Sequence, residues 1–184
     1  NRRCEDACTR GTIDAAVAID AVKGLVAERD LDAKTRYIPK PTVPSLKGHF
    51  NEKIAIIGAG PAGLSCAYYL ANLGHEVHVY EAESVAGGVL YWGIPEYRLP
   101  KAVLQKEIHA IEMSGVEIHL NTKIGTDISF EEMKDRSDAV YIAAGTQVSR
   151  LLDVPGEDLK GVESGLGFLK RIGLKRDMTV PDKL

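Results

Sequence analysis

Residues 53–81 read KIAIIGAGPAGLSCAYYLANLGHEVHVYE, and the order of residue types in this stretch decides the fold. Lys53–Ile57 is a short apolar run, suited to a strand buried on both faces. Glycines at 58, 60 and 63 turn the chain, and Leu64 to Leu73 reads as a helix ended by Gly74. Glu76 to Tyr80 is a second strand, closed by the acid Glu81. A strand, a helix and a second strand within roughly 30 residues make a right-handed βαβ unit with parallel strands.

The pattern Gly58-x-Gly60-x-x-Gly63 is weak alone and strong in this context, with a strand before it, a helix after it and an acid ending the next strand. Gly58 permits the tight turn, and Gly60 lets a pyrophosphate approach bare backbone. Gly63 lets the helix pack closely on the sheet. The segment Ala59, Pro61, Ala62 completes the loop, and the helix N-terminus offers N–H groups and partial positive charge to phosphates. Glu81, 18 residues after Gly63, is placed to accept hydrogen bonds from both hydroxyls of an adenosine ribose. A carboxylate there repels a 2′-phosphate, which disfavours NADP at this position. The fingerprint by itself leaves FAD and NAD open.

Outward from this unit, residues 82–100 form a long loop containing glycine and proline. Lys101 to Ser114 suits a helix closed by Gly115, Val116 to Leu120 a third strand, and Ala139 to Ala144 another buried strand. Ser129 and Glu132 match a capping box, and Phe168 to Ile172 suits a short helix. Upstream, a helix over Ile13 to Glu28 with Thr12 as cap would have an apolar side formed by Ile13, Val17, Val22, Leu25 and Val26. Residues 31–51, with Pro39, Pro41 and Pro44, read as a linker.

The chain has 184 residues and a net charge of −3, so its bulk composition does not point to nucleic acid or an acidic membrane surface. No apolar run approaches the ~20 residues that span a bilayer. An odd cysteine count (Cys4, Cys8 and Cys66) without an export signal argues against a disulfide framework and for a reducing cytoplasm. Cys66 is expected as a small buried residue. The five histidines are scattered, lack metal-ligand spacing and are read as ordinary. No Ser-His-Asp, Cys-His or paired-carboxylate set is evident.

Several further stretches carry a resemblance. They are Cys4–Cys8 (CEDAC), Glu81–Gly88 (EAESVAGG), Gly93–Pro100 (GIPEYRLP), Gly115–Ile118 with Asn121-Thr122, Tyr141–Thr146 (YIAAGT) and Val154–Val162 (VPGEDLKGV). Together they resemble the family of the glutamate synthase small subunit, the FAD portion of dihydropyrimidine dehydrogenase, and related NAD(P)H-oxidising subunits of ferredoxin-linked and hydrogenase-type complexes. The resemblance implies a Rossmann-like α/β FAD-binding domain over 52–184, incomplete, preceded over 1–30 by a helical segment of an iron–sulfur domain. It implies FAD contacts at Gly58 to Gly63, Glu81, Gly87, Gly88 and Arg98, with Ile124, Gly145 and Thr146 as further positions. Arg98 suits a phosphate or a flavin carbonyl because its fork is planar and always charged.

The resemblance also implies that Cys4 and Cys8 are ligands of a 4Fe–4S cluster in the parent protein. A further family cysteine would fall just before Asn1, and a last-ligand position corresponds to Lys23, which cannot ligate while protonated. A second fold binding NAD(P)H is expected beyond residue 184. The implied activity is electron transfer from NAD(P)H through FAD to iron–sulfur clusters, within a complex of other subunits or domains. The fragment alone is expected to be inactive. Two other readings remain open: an NAD-binding dehydrogenase fragment, and a non-catalytic electron-transfer subunit.

Overall fold

A computed structural model of the chain describes residues 2–32, 36–40, 50 and 52–175. It divides into two compact units, residues 1–38 and 39–184. The expected linker partly lies outside the described residues.

The first unit holds a short helix α1 (Arg3–Asp6), a 3-10 turn (Thr9–Thr12) and a helix α2 (Ile19–Asp32). The backbone N–H of Asp20 donates to the Glu5 carboxylate at 3.1 Å, tying the start of α2 to α1. The helix expected over 13–28 therefore begins later and ends later. Its expected cap is already engaged, because the Thr12 hydroxyl donates to the Thr9 carbonyl at 2.7 Å and closes the 3-10 turn. Arg10 then grips the Asp14 carboxylate through two nitrogens, at 2.6 and 2.5 Å. No residue of α2 is buried, so its apolar positions are not part of a core.

The second unit is built on four parallel strands: β1 (Lys53–Ile57), β2 (Glu76–Tyr80), β3 (Val116–His119) and β4 (Ala139–Ile142). Their spatial order is β3-β2-β1-β4. Helix α3 (Pro61–Leu73) connects β1 to β2, with Pro61 at its first turn and Gly74 in the left-handed conformation at its end. The long loop after β2 contains a single-turn helix α4 (Val89–Trp92), and α5 (Lys101–Met113) leads into β3. Helix α6 (Phe130–Asp135) precedes β4, and α7 (Gly165–Gly173) follows it.

Alternation divides the sheet residues between two faces. Ile54, Ile56, Val77, Val79 and Val116 form one core cluster with Leu64, Ala67 and Ala71 of α3 and Leu104 and Ile108 of α5. Full burial of side chains such as Ile56 and Val79 stabilises the unit by roughly 1.5–3 kcal/mol each. Cys66 is half-buried against this cluster, and burial pushes its thiol up.

Two expectations need correcting here. β4 forms as expected but is not buried: Tyr141 is 43% exposed and Ile142 is 64% exposed. Among the described residues it pairs only with β1 and stands at the end of the described sheet. Ser129 caps α6 as expected, its hydroxyl accepting from the Glu132 N–H at 3.1 Å. The Glu132 carboxylate, however, pairs with Arg136 one turn on, so the reciprocal half of the capping box is replaced by an ion pair.

Gly63 sets the spacing between α3 and β1. A Cβ there would overlap the Gly58 carbonyl oxygen and lie 3.2 Å from the Ile56 side chain. Backbone cannot yield as a side-chain tip can, so Gly63→Ala is expected to lower stability by about 1–3 kcal/mol. Urea unfolding of the two proteins checks this, and equal midpoints would show that α3 is not held at that distance.

Candidate nucleotide-binding site

The glycine turn leaves β1 with Gly58 at φ 104°, where a Cβ would lie 2.5 Å from the Ala143 carbonyl oxygen. The Gly58 N–H donates to the Tyr80 carbonyl at 2.8 Å, and the Ala143 N–H donates to Ile57 at 2.8 Å. The ends of β1, β2 and β4 therefore converge on the turn. Gly60 follows with ordinary extended backbone, φ −81° and ψ −178°. A Cβ added there meets nothing within 4 Å, so bare backbone borders open space. The first N–H groups of α3 have no acceptor within the helix, and no side chain caps them.

Glu81 is buried at the end of β2. One carboxylate oxygen accepts from the Ala59 N–H at 2.8 Å, and the other accepts from the Glu83 N–H at 2.9 Å. An ionised carboxylate has about four acceptor positions, so these two bonds leave about two for an incoming donor. The acid is thus attached directly to the glycine turn, 22 residues away in sequence.

The Gly87–Gly88 pair closes against the same turn. The Gly87 N–H donates to the Ala59 carbonyl at 2.8 Å, and a Cβ on Gly88 would lie 3.0 Å from the Gly60 Cα. Both glycines have positive φ, 117° and 53°. The pair, the turn and Glu81 are the residues that the structure brings together most tightly.

The other expected positions stand further out. The segment before Ile124 runs beside Glu81, because the Thr122 N–H donates to the Glu81 carbonyl at 2.8 Å. Ile124 itself is half-buried and bridges to Ile128. Gly145 (φ 67°) and Thr146 are exposed and directly follow the Ala143–Ala144 segment that packs on Gly58. Arg98 is exposed in the turn after Pro95, where its N–H donates to the Pro95 carbonyl at 3.0 Å. Cys4, in α1, is exposed, and Cys8 precedes the 3-10 turn half-buried. Backbone hydrogen bonds, from Val17 first and then Arg10, hold the Cys8 thiol below its usual range.

Residues 52–176 match the family described as pyridine nucleotide-disulphide oxidoreductase. The chain belongs to this family. It is 39% identical over 199 aligned positions to the NADP(+)-dependent formate dehydrogenase subunit beta of Moorella thermoacetica, covering 98% of the chain and 28% of that protein. It is 36% identical over 166 positions to the glutamate synthase [NADPH] small chain of Bacillus subtilis, covering 90% of the chain and 33% of that protein. Among solved structures, it is similar to Mycobacterium tuberculosis FprA in complex with NADPH. The TM-score is 0.59 at 25% identity, over 66% of this chain and 29% of that one. The chain spans about a third or less of the length of the curated relatives it matches. These similarities bear out the expected family and the Rossmann-like class of the second unit. No helix among the described residues is long and apolar enough to cross a membrane.

Sequence reading missed one grouping. His78, Glu117 and His119 come together on the sheet face opposite the core cluster, although nothing in their spacing along the chain suggests it. Parallel pairing places Glu117 beside His78 and His119 beside Tyr80. Burial, followed by the neighbouring His78, holds the His119 imidazole below its usual range.

Glu81→Gln turns one carboxylate oxygen into an amide N–H₂ facing a backbone N–H donor. The expected cost is about 1–3 kcal/mol of unfolding free energy without any nucleotide present. Denaturant unfolding of ligand-free protein measures it, and an unchanged stability would mean that the acid does not hold the turn.

Proposed function

We propose that the glycine turn, Glu81 and the Gly87–Gly88 pair hold the adenosine diphosphate half of FAD. On this reading the chain is the FAD-containing part of an NAD(P)H-dependent oxidoreductase that delivers electrons to iron–sulfur clusters. One observation carries it. The Glu81 carboxylate is bonded to the Ala59 N–H at 2.8 Å, beside a Gly60 whose missing side chain leaves open space. That arrangement suits a diphosphate against backbone with its ribose at the acid.

Each residue has a defined task. Gly60, with the first N–H groups of α3, receives the diphosphate, whose charge is favoured at a helix N-terminus. Glu81 uses its remaining acceptor positions for the ribose hydroxyls. The Gly87–Gly88 backbone borders the diphosphate channel beside Gly60. Arg98 suits a phosphate or a flavin carbonyl, since a guanidinium is a planar fork of N–H donors. The Ile124 segment flanks Glu81, and Gly145 and Thr146 extend from the strand end that packs on Gly58. When bound, FAD supplies the capacity to take a hydride and release electrons singly. The names of the relatives support NAD(P)H as the reductant.

Cys4 and Cys8 are proposed as two thiolate ligands of a 4Fe–4S cluster in the parent protein. The described residues fit half of that group. A four-iron cluster takes four thiolates, and the first unit contributes Cys4 and Cys8. Lys23, at the position of a last ligand, is neither a thiol nor a carboxylate. The remaining ligands therefore come from elsewhere in the parent protein. Relatives named as a subunit and a small chain support assembly with other subunits or domains. The three free thiols suit a cytoplasmic location.

Gly60→Val separates folding from binding. The Cβ meets nothing within 4 Å, so only the small cost of losing an N-cap glycine is expected in the thermal midpoint. FAD affinity, read by quenching of flavin fluorescence, is expected to fall by about 100-fold, or ~2.7 kcal/mol. A chain that binds NAD in this cleft and rejects FAD would overturn the reading.

A further inference from the structure

His78, Glu117 and His119 meet on a part of the sheet that the nucleotide site does not use. Glu76, His78 and Tyr80 share one face of β2, and Glu117 and His119 share the same face of β3. His78 Nδ1 lies 3.1 Å from His119 Nε2 and 3.3 Å from a Glu117 carboxylate oxygen. His119 Nε2 lies 3.8 Å from that same oxygen. Three ligand-type atoms from two strands thus form a small triangle.

The size of the triangle selects the coordination geometry. Zinc bonds to imidazole nitrogen and carboxylate oxygen are about 2.0–2.2 Å, so a tetrahedral site has ligand–ligand edges of roughly 3.3–3.6 Å. Octahedral magnesium at about 2.0–2.1 Å gives edges near 2.9 Å. The observed edges, 3.1, 3.3 and 3.8 Å, bracket the tetrahedral value and all exceed the octahedral one. Two imidazoles and one carboxylate are also a zinc-type donor set, whereas magnesium and calcium favour oxygen throughout.

A second contact prepares His78 for this role. Its other ring nitrogen, Nε2, lies 2.7 Å from the Glu76 carboxylate, which is itself paired with Lys53 at 3.0 Å. With its proton on Nε2, donated to Glu76, His78 presents a lone pair at Nδ1 towards the triangle. Carboxylates hold metal-bound histidines in this manner, setting both tautomer and ring direction. In the same tautomer, His78 Nδ1 and the Glu117 oxygen are two acceptors 3.3 Å apart, and the single Nε2 proton of His119 cannot serve both well. A cation between the three atoms resolves that conflict. His78 is buried, while the Glu117 side chain is 67% exposed and that of His119 is 38% exposed, so an ion and a water can enter.

We propose that His78, Glu117 and His119 form a zinc-class metal site, with the fourth tetrahedral position open to water, that clamps the edge strand β3 to β2. The clamp lies next to the nucleotide cleft, because the His119 carbonyl accepts from the Glu81 N–H at 2.9 Å. The inference does not depend on which nucleotide the cleft takes.

The test uses the full chain carrying Cys4→Ser and Cys8→Ser, so that thiolates cannot take the metal. Metal-free protein is titrated with Co²⁺ and, in competition with a chromophoric chelator, with Zn²⁺. Binding of one ion per chain, with the visible bands of tetrahedral nitrogen–oxygen cobalt and a thermal midpoint that rises with Zn²⁺, is expected. Glu117→Gln alters an exposed side chain and leaves the core intact. It should weaken Zn²⁺ by at least about 10–100-fold and abolish the cobalt bands, as should His119→Gln. Octahedral cobalt spectra, absence of chelator-competitive binding, or a Zn²⁺ affinity in either variant equal to that of the parent chain would each overturn the proposal.

Discussion

The bond from the Ala59 N–H to the Glu81 carboxylate joins the turn that leaves β1 to the chain just after β2. Glu81 ends β2, and Ala59 lies in the turn that leaves β1. A buried carboxylate needs donors, and the turn supplies one while the Glu83 N–H supplies the other. The same acid therefore stabilises the turn and keeps acceptor positions beyond these two bonds. Its side chain cannot be altered without affecting both properties.

Close backbone approach is the second half of this constraint. Gly63 lets α3 rest against the Gly58 carbonyl, and Gly58 lets the strand end at Ala143 reach the turn. Gly88 lets the loop after β2 touch Gly60. Three of the glycines are thus filled on the side a Cβ would occupy, whereas Gly60 is open there. Glycine at Gly63 serves packing, and glycine at Gly60 leaves backbone bordering open space.

The two faces of the sheet do different work. One buries Ile54, Ile56, Val77 and Val79 against α3 and α5 and holds the strands in place. The other carries Lys53, Glu76, His78, Glu117 and His119, a polar array linked by ion pairs and ring contacts. His119 also stacks on Tyr80, 4.7 Å between ring centres, immediately before Glu81 in the chain. The polar face therefore continues to the end of β2, where Glu81 meets the glycine turn.

Residues 53–81 determined the βαβ unit, the glycine turn and the terminal acid on their own, because each rests on a local demand. These demands are a buried apolar run, φ values open to glycine, and a helix start within a few residues. Local pattern failed where a partner decides the outcome. The apolar spacing over 13–28 suggested a helix, yet Thr12 closes a 3-10 turn and α2 starts at Ile19. The apolar run of β4 reads as buried, yet its place at the end of the described sheet leaves Ile142 exposed there. His78 and His119, 41 residues apart, became neighbours only through the parallel register of β2 and β3. Sequence spacing encodes what neighbouring residues along the chain can do. Strand pairing brings distant residues together, and that choice belongs to the packed sheet.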